Sequence, residues 1–173
     1  VRDKNGRWFC FYSEHNIRMA VSEDPVASPG TWFKYYEGYF NQPGLGGQGS
    51  PIDGLKSSPG GNPSVHYNSY LETWIMIYHT WSGDLVYSSS HNLVDWENPV
   101  SLIQNQSIEK SWYPTIIGKT NTVIGPNGTL YYGYWPDKNK NVREFTKRGI
   151  KFIKYGVSTL PLKERMGSSG AFI

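Results

Sequence analysis

Three carboxylates stand where they could act as proton donors or acceptors. Glu14 directly follows a run of aromatic residues, Glu109 lies three residues before Trp112, and Asp53 lies in the Gly-, Ser- and Pro-rich loop 44–61. Loops of this length are often functional. One carboxyl group can protonate a glycosidic oxygen while a second acts as base or nucleophile. We predict Glu14, Glu109 and Asp53 as catalytic candidates in this order, with a solvated charge as the alternative for each.

A second set of residues combines aromatic rings with polar groups at the ends of predicted strands. Antiparallel neighbours bring the start of one strand beside the end of the other, so these residues are expected on one face. Flat rings suit the C–H faces of a sugar, and polar groups suit its hydroxyls. We predict that this face binds an oligosaccharide or polysaccharide through Asn62, His79, Trp81, Trp112, Tyr113 and Trp135. Asp137 is predicted to form a hairpin tip, and a structural role is the alternative for His79.

Composition excludes several classes of protein. The net charge is +3, only 18% of the 173 residues are charged, and basic residues do not cluster, which argues against nucleic-acid binding. No apolar run approaches ~20 residues, so a membrane span is not predicted. The histidines lack metal-ligand spacing, and we predict neither a metal nor a cofactor. The single cysteine, Cys10, is predicted to be a small buried residue in a strand.

The chain is predicted to be all-β. Aromatic residues make up 16% of the sequence, and 19 glycines and 11 prolines supply turns. Three series of short strands follow one another and align as a repeat. The predicted strands are Trp8–Ser13, Ile17–Ser22 and Trp32–Tyr36, then Ser64–Tyr67, Trp74–His79, Leu85–Ser90 and Trp96–Leu102, then Thr115–Gly118, Leu130–Trp135, Val142–Lys147 and Ile150–Tyr155.

Four-stranded antiparallel units repeated at this period predict a β-propeller. We expect a single incomplete propeller domain over residues 1–173, with blade units at about 1–61, 62–112 and 113–160 and a tail at 161–173. The first unit lacks its Pro-led innermost strand. Val1 is not a natural start residue, which predicts a processed or cut N-terminus. Trp32 and Trp96 are predicted to be packing residues of outer strands.

Two stretches carry a family resemblance. Gly6-Arg-Trp-Phe-Cys-Phe-Tyr-Ser followed by Ile17-Arg-Met-Ala-Val-Ser, and Ser89-Ser-His-Asn-Leu-Val-Asp-Trp, resemble blade motifs of the five-bladed β-propeller glycosidases. This superfamily includes arabinanases, xylosidases, arabinofuranosidases and invertase-like enzymes. The resemblance covers roughly residues 6–155 and implies the propeller architecture and a site at the mouth of the central channel.

The resemblance also implies three carboxylates around that channel: a base, a pKa-modulating Asp and an acid. At the matching positions this chain has Asn62 before Pro63 and Trp112 two residues before Pro114, and the strand for the base is missing. An acid would therefore have to come from elsewhere on the face.

Three functions follow from these patterns. We favour a glycoside hydrolase-like protein, extracellular and secreted, that degrades a plant or microbial polysaccharide. The alternatives are a non-catalytic sugar-binding propeller and an assembly module. Because an incomplete propeller exposes blade faces that normally pack, we expect those faces to be apolar and to form a homodimer.

Overall fold

The computed structural model describes residues 1–104, 110–120, 122–135 and 144–153, together with the backbone of residues 156–159. In this part of the chain there is no α-helix, and one turn of 3₁₀ helix occurs at Asp53–Leu55. No helix of the described residues is long and apolar enough to cross a membrane.

The first sheet contains four antiparallel strands in chain order. They are β1 (Trp8–Glu14), β2 (Asn16–Ser22), β3 (Trp32–Tyr36) and β4 (Tyr39–Pro43). The sequence did not predict β4, because Asn41, Gln42 and Pro43 are weak strand formers. This hairpin lies at the outer edge of the sheet, where Pro is tolerated.

The second sheet contains β5 (Gly60–Asn68), β6 (Thr73–Thr80), β7 (Leu85–Ser90) and β8 (Val100–Ile103), again antiparallel in chain order. Strand β6 is buried on both faces. Met76 and Tyr78 pack toward the first sheet, and Ile75 and Ile77 pack on the opposite face. A strand covered on both sides has a continuous apolar sequence rather than an alternating one, which explains the run from Trp74 to Tyr78.

The third sheet contains β9 (Ser111–Ile117), β11 (Asn127–Tyr134), β12 (Glu144–Ile153) and β13 (Gly156–Thr159), ordered β13-β12-β11-β9. The two-residue strand β10 (Val123–Ile124) crosses back to pair in parallel with β5. The predicted division into strands at Val142–Lys147 and Ile150–Tyr155 is wrong. Strand β12 is continuous from Glu144 to Ile153 and pairs with β11 from Glu144 to Lys151, because Arg148-Gly149 stays in the strand instead of forming a turn.

Two cores join the three sheets face to face. One lies between the first and second sheets and the other between the second and third. The prediction of an all-β chain built from antiparallel propeller blades is confirmed. The blade-unit boundaries, the homodimer and the extracellular location stay predictions.

Two local predictions need correction. Cys10 is exposed rather than buried, because β1 alternates and turns Cys10 to the face opposite Phe9. Trp96 lies in a turn before β8 rather than in the strand itself. Its predicted packing role agrees with the structure, since Trp96 is 5% exposed and belongs to the core between the first and second sheets.

The second stretch that resembles the glycosidase blade motifs, residues 89–96, contains a hydrogen-bonded turn. Ser90 Oγ accepts the backbone N–H groups of Asn92 (3.3 Å) and Leu93 (3.0 Å), and Asn92 Oδ1 accepts two further backbone N–H groups. The indole N–H of Trp96 then donates to the Leu93 carbonyl at 3.1 Å, and its ring meets Phe11 edge to face at 5.6 Å. Short polar side chains that bind the nearby backbone in this way stabilise turns. The motif therefore holds a core tryptophan in place.

Candidate functional site

Two strained residues lie near the starts of β5 and β9, the inner strands of the second and third blades. Asn62 and Tyr113 both have positive φ, 54° and 52°, and each directly precedes a proline. A β-bulge interrupts the strand pairing at both places. Positive φ is unfavourable for a bulky residue such as Tyr113, and bulges often re-aim side chains beside functional sites. The internal repeat thus places the same feature, a positive-φ residue before a proline at a β-bulge, twice at one end of the sheets.

Three aromatic residues surround His79 at this end. The ring of His79 lies 4.5 Å from that of Trp112, 5.4 Å from that of Trp81 and 6.1 Å from that of Tyr113, measured between centroids. Trp135 continues the group, with its ring 6.2 Å from Trp112. We call this group the mouth cluster, and it contains Asn62, His79, Trp81, Trp112, Tyr113 and Trp135.

The hairpin between β1 and β2 anchors the mouth cluster from the first blade. The Trp81 indole N–H donates to the His15 carbonyl at 2.7 Å, and the Asn62 backbone N–H donates to Ser13 Oγ at 2.8 Å. Gly61 fits between them, since a Cβ there would lie 3.0 Å from the Trp81 ring and 3.1 Å from Ser13 Oγ. Ring contacts therefore join five of the six predicted residues, and Asn62 follows Gly61 beside them. Their role in binding a sugar stays a prediction.

His79 is a buried neutral side chain in the middle of this group. It is 1% exposed, and neither ring nitrogen has a hydrogen-bond partner among the described residues. Burial disfavours the charged imidazolium and lowers the pKa of His79 to about 4. The mouth cluster thus contains an uncharged imidazole at neutral pH.

This burial predicts a pH dependence of stability. Between the ordinary His pKa of 6.5 and about 4 the unfolded state binds more protons than the folded state, so stability falls as pH decreases through this window. His79→Phe keeps an aromatic ring and removes the titration. The variant should therefore lose less stability than the unaltered protein between pH 6.5 and 4, as measured by urea unfolding at several pH values. The exposed His91 provides the control, and a His91→Phe variant that removed the dependence equally would contradict the assignment.

Glu14 lies beside the mouth cluster but faces away from it. Its neighbour Ser13 contacts Asn62, and successive side chains of a strand point to opposite faces. Glu14 forms an ion pair with Arg18 at 2.9 Å, and its side chain is 58% exposed. In the structure this carboxylate is therefore held on the other face of the hairpin.

Asp53 has partners outside the mouth cluster. Asp53 accepts a hydrogen bond from the Tyr35 hydroxyl at 3.1 Å and forms an ion pair with Lys56, whose hydrogen bond lowers the pKa of the Asp53 carboxyl. Glu109 and Asp137 lie outside the described residues. The catalytic roles of Glu14, Glu109 and Asp53 stay predictions.

A cavity of about 580 Å³ adjoins the mouth cluster at Trp81. Sequence patterns did not predict it, because its Ser, Thr and Pro residues look like ordinary turn residues. Its walls come from the loop before β5, the β6–β7 hairpin and the outer strand β8, which are brought together only by folding. Within the described ranges no three His, Cys, Asp or Glu side chains group in a way that could hold a metal ion.

Comparison with known proteins gives a structural match without a sequence match. No protein-family model and no curated protein matches the chain. The chain is similar in structure to a polysaccharide lyase, a PL25 ulvan lyase solved bound to -[GlcA(1-4)Rha3S]-, with a TM-score of 0.55 and 15% identity. The match covers 94% of this chain and 41% of the lyase, so the chain spans less than half the length of that protein. The chain has the fold of β-propeller blades.

Proposed function

We propose that this chain is part of a carbohydrate-active protein that binds a uronate-containing polysaccharide at the mouth cluster and cleaves it by β-elimination. The main support for the proposal is the composition of the mouth cluster. Trp81 and Tyr113 are 45% and 48% exposed beside the neutral, buried His79, at the end of the sheets where Asn62 also lies. Exposed rings with a polar edge suit sugar rings. The polysaccharide-degrading structural neighbour supports this class of substrate.

The chemistry of the mouth cluster favours elimination over hydrolysis. In β-elimination a base removes the proton beside the uronate carboxyl group, the bond to the leaving oxygen breaks, a C=C bond forms, and an acid protonates the leaving oxygen. Positioned Tyr and His side chains can carry such protons. Tyr113 is the exposed group that would contact the substrate. The buried His79 ring packs beside the Tyr113 ring and would hold it in position.

The glycosidase hypothesis depends on carboxylates instead. Hydrolysis requires an acid and a second carboxylate on either side of the scissile bond. Glu14, the first candidate, pairs with Arg18 on the other face of the hairpin. Hydrolysis is therefore the second candidate, supported by the blade motifs of the sequence.

Product analysis separates these functions. The chain would be incubated with ulvan, arabinan and xylan, and both new reducing ends and ultraviolet absorbance would be followed. Elimination produces both signals, because its product contains a conjugated C=C bond, whereas hydrolysis produces reducing ends alone. Binding without either signal would support the non-catalytic sugar-binding propeller. Absence of binding to every polymer would overturn the proposal.

Removing the exposed Trp81 ring should weaken polysaccharide binding. Trp81→Ala deletes the stacking surface and should lower affinity by about tenfold or more. Affinity electrophoresis in gels that contain the polysaccharide would measure the change. Tyr70→Ala is the matched control, because Tyr70 is 44% exposed at the turn between β5 and β6, the opposite end of the sheet. Equal effects of the two variants would argue against a binding site at the mouth cluster.

A further inference from the structure

The cavity next to Trp81 has the volume of a small-molecule site and a largely polar lining. Its volume of about 580 Å³ falls within the range of about 300–1,000 Å³ typical of small-molecule sites. The lining is rich in hydroxyl groups, and includes Ser57, Ser82 and Ser101 as well as the amide of Gln104. The lining therefore offers several hydrogen-bonding groups to a ligand.

The cavity walls are held in place by hydrogen bonds. The buried Tyr78 hydroxyl donates to the Ser58 carbonyl at 3.0 Å, which fixes the loop before β5. In the β6–β7 hairpin, Ser82 Oγ lies 2.7 Å from Thr80 Oγ1 and donates to Asp84 Oδ2 at 2.9 Å. Hydrogen bonds to or within the second sheet thus position these two walls.

Trp81 is shared by the cavity and the mouth cluster. Its ring contacts His79 on the cluster side, and the same residue lines the cavity. The Trp81 indole N–H is bound to the His15 carbonyl at 2.7 Å, which holds the ring in place. A chain-like ligand stacked on Trp81 can therefore continue from one site into the other.

Charge narrows the kind of sugar that fits. Among the described lining residues Asp84 is the only charged one, and it is negative. A carboxylate repels an anionic group beside it. Hydroxyls and an amide can both donate hydrogen bonds to neutral sugar hydroxyls and accept hydrogen bonds from them. We propose that this cavity is a second sugar subsite, continuous with the mouth cluster across Trp81, that takes a neutral sugar unit of the bound polysaccharide. The inference rests on the proposed function of the mouth cluster.

The test compares oligosaccharides of different length and charge. The probes are ulvan di-, tetra- and hexasaccharides in native sulfated form and after desulfation, which leaves a neutral rhamnose next to each glucuronate. Binding of each to the 173-residue chain is measured by isothermal titration calorimetry. Two added neutral hydrogen bonds correspond to about tenfold in affinity, so the desulfated series should gain about tenfold with length. The sulfated series should gain less.

Variants that fill the cavity make the test specific. Ser101 pairs with the cavity residue Val86 across β7 and β8, so Ser101→Trp should block the cavity and abolish the gain with length. Ser57→Trp should fill the cavity from the opposite wall, and it replaces Ser101→Trp in the test if that variant folds poorly. The control is Val100→Trp, because Val100 is 53% exposed and its side chain points to the other face of β8.

The outcomes separate this inference from the proposed function. A gain with length that is lost in Ser101→Trp or Ser57→Trp and kept in Val100→Trp supports the subsite. A gain that survives both cavity variants, no gain at all, or a larger gain for the sulfated series overturns it while the proposed function stands. If no probe binds the unaltered chain, the proposed function is wrong, and the subsite proposal, which depends on it, is wrong as well.

Discussion

Replacing Tyr113 by phenylalanine is expected to lower the rate of polysaccharide cleavage by about 10²–10⁴-fold, the usual contribution of a positioned acid or base. The ring stays, so its contact with His79 and its stacking surface stay as well. Only the hydroxyl that can transfer a proton is removed. Binding of the polysaccharide should therefore change little while turnover falls, which initial rates and a separate binding titration would show.

Glu14→Gln is the matched comparison. It removes the carboxylate that the sequence predicted as the first catalytic candidate and keeps the size of the side chain. If the chain works by elimination, this variant should keep its activity, because Glu14 is paired with Arg18 away from the mouth cluster. Loss of activity in Glu14→Gln together with an active Tyr113→Phe would contradict elimination and restore the glycosidase assignment.

Trp96→Ala is expected to destabilise the chain by about 3–5 kcal/mol, the usual cost of deleting a large buried aromatic side chain. Trp96 is 5% exposed, donates a hydrogen bond to Leu93 and meets Phe11 edge to face at 5.6 Å. Its loss leaves a cavity between the first and second sheets, because neither sheet can collapse into the space alone. Urea unfolding would measure the change in the free energy of unfolding.

Trp32→Ala provides the comparison for stability. Trp32 lies on β3 and is only half-buried, with its indole N–H bound to the Ala27 carbonyl at 3.3 Å. Less apolar surface is lost, so the destabilisation should be smaller than for Trp96→Ala. An unfolding midpoint of Trp96→Ala equal to that of the unaltered protein would show that the turn does not hold the two sheets together.

Local sequence determined the strands and the kind of surface at their ends. The aromatic and β-branched runs set most strands, and antiparallel pairing placed Asn62, Trp112 and Tyr113 beside the ends of neighbouring strands. These predictions were possible because alternation and turn chemistry depend on residues close in sequence. The continuous run of β12 and the extra strand β4 were missed where Gly and polar residues in the sequence suggested turns.

Tertiary structure alone decided which groups can act together. Sequence placed Glu14 near the site, but only the register of β1 and β2 turned it toward Arg18. His79 became neutral because three rings from two blades bury it, a desolvation that no local pattern reports. The cavity beside Trp81 likewise exists only where a loop, a hairpin and an outer strand meet. Burial and electrostatics depend on contacts between residues far apart in the chain, so they follow from the packing of the blades.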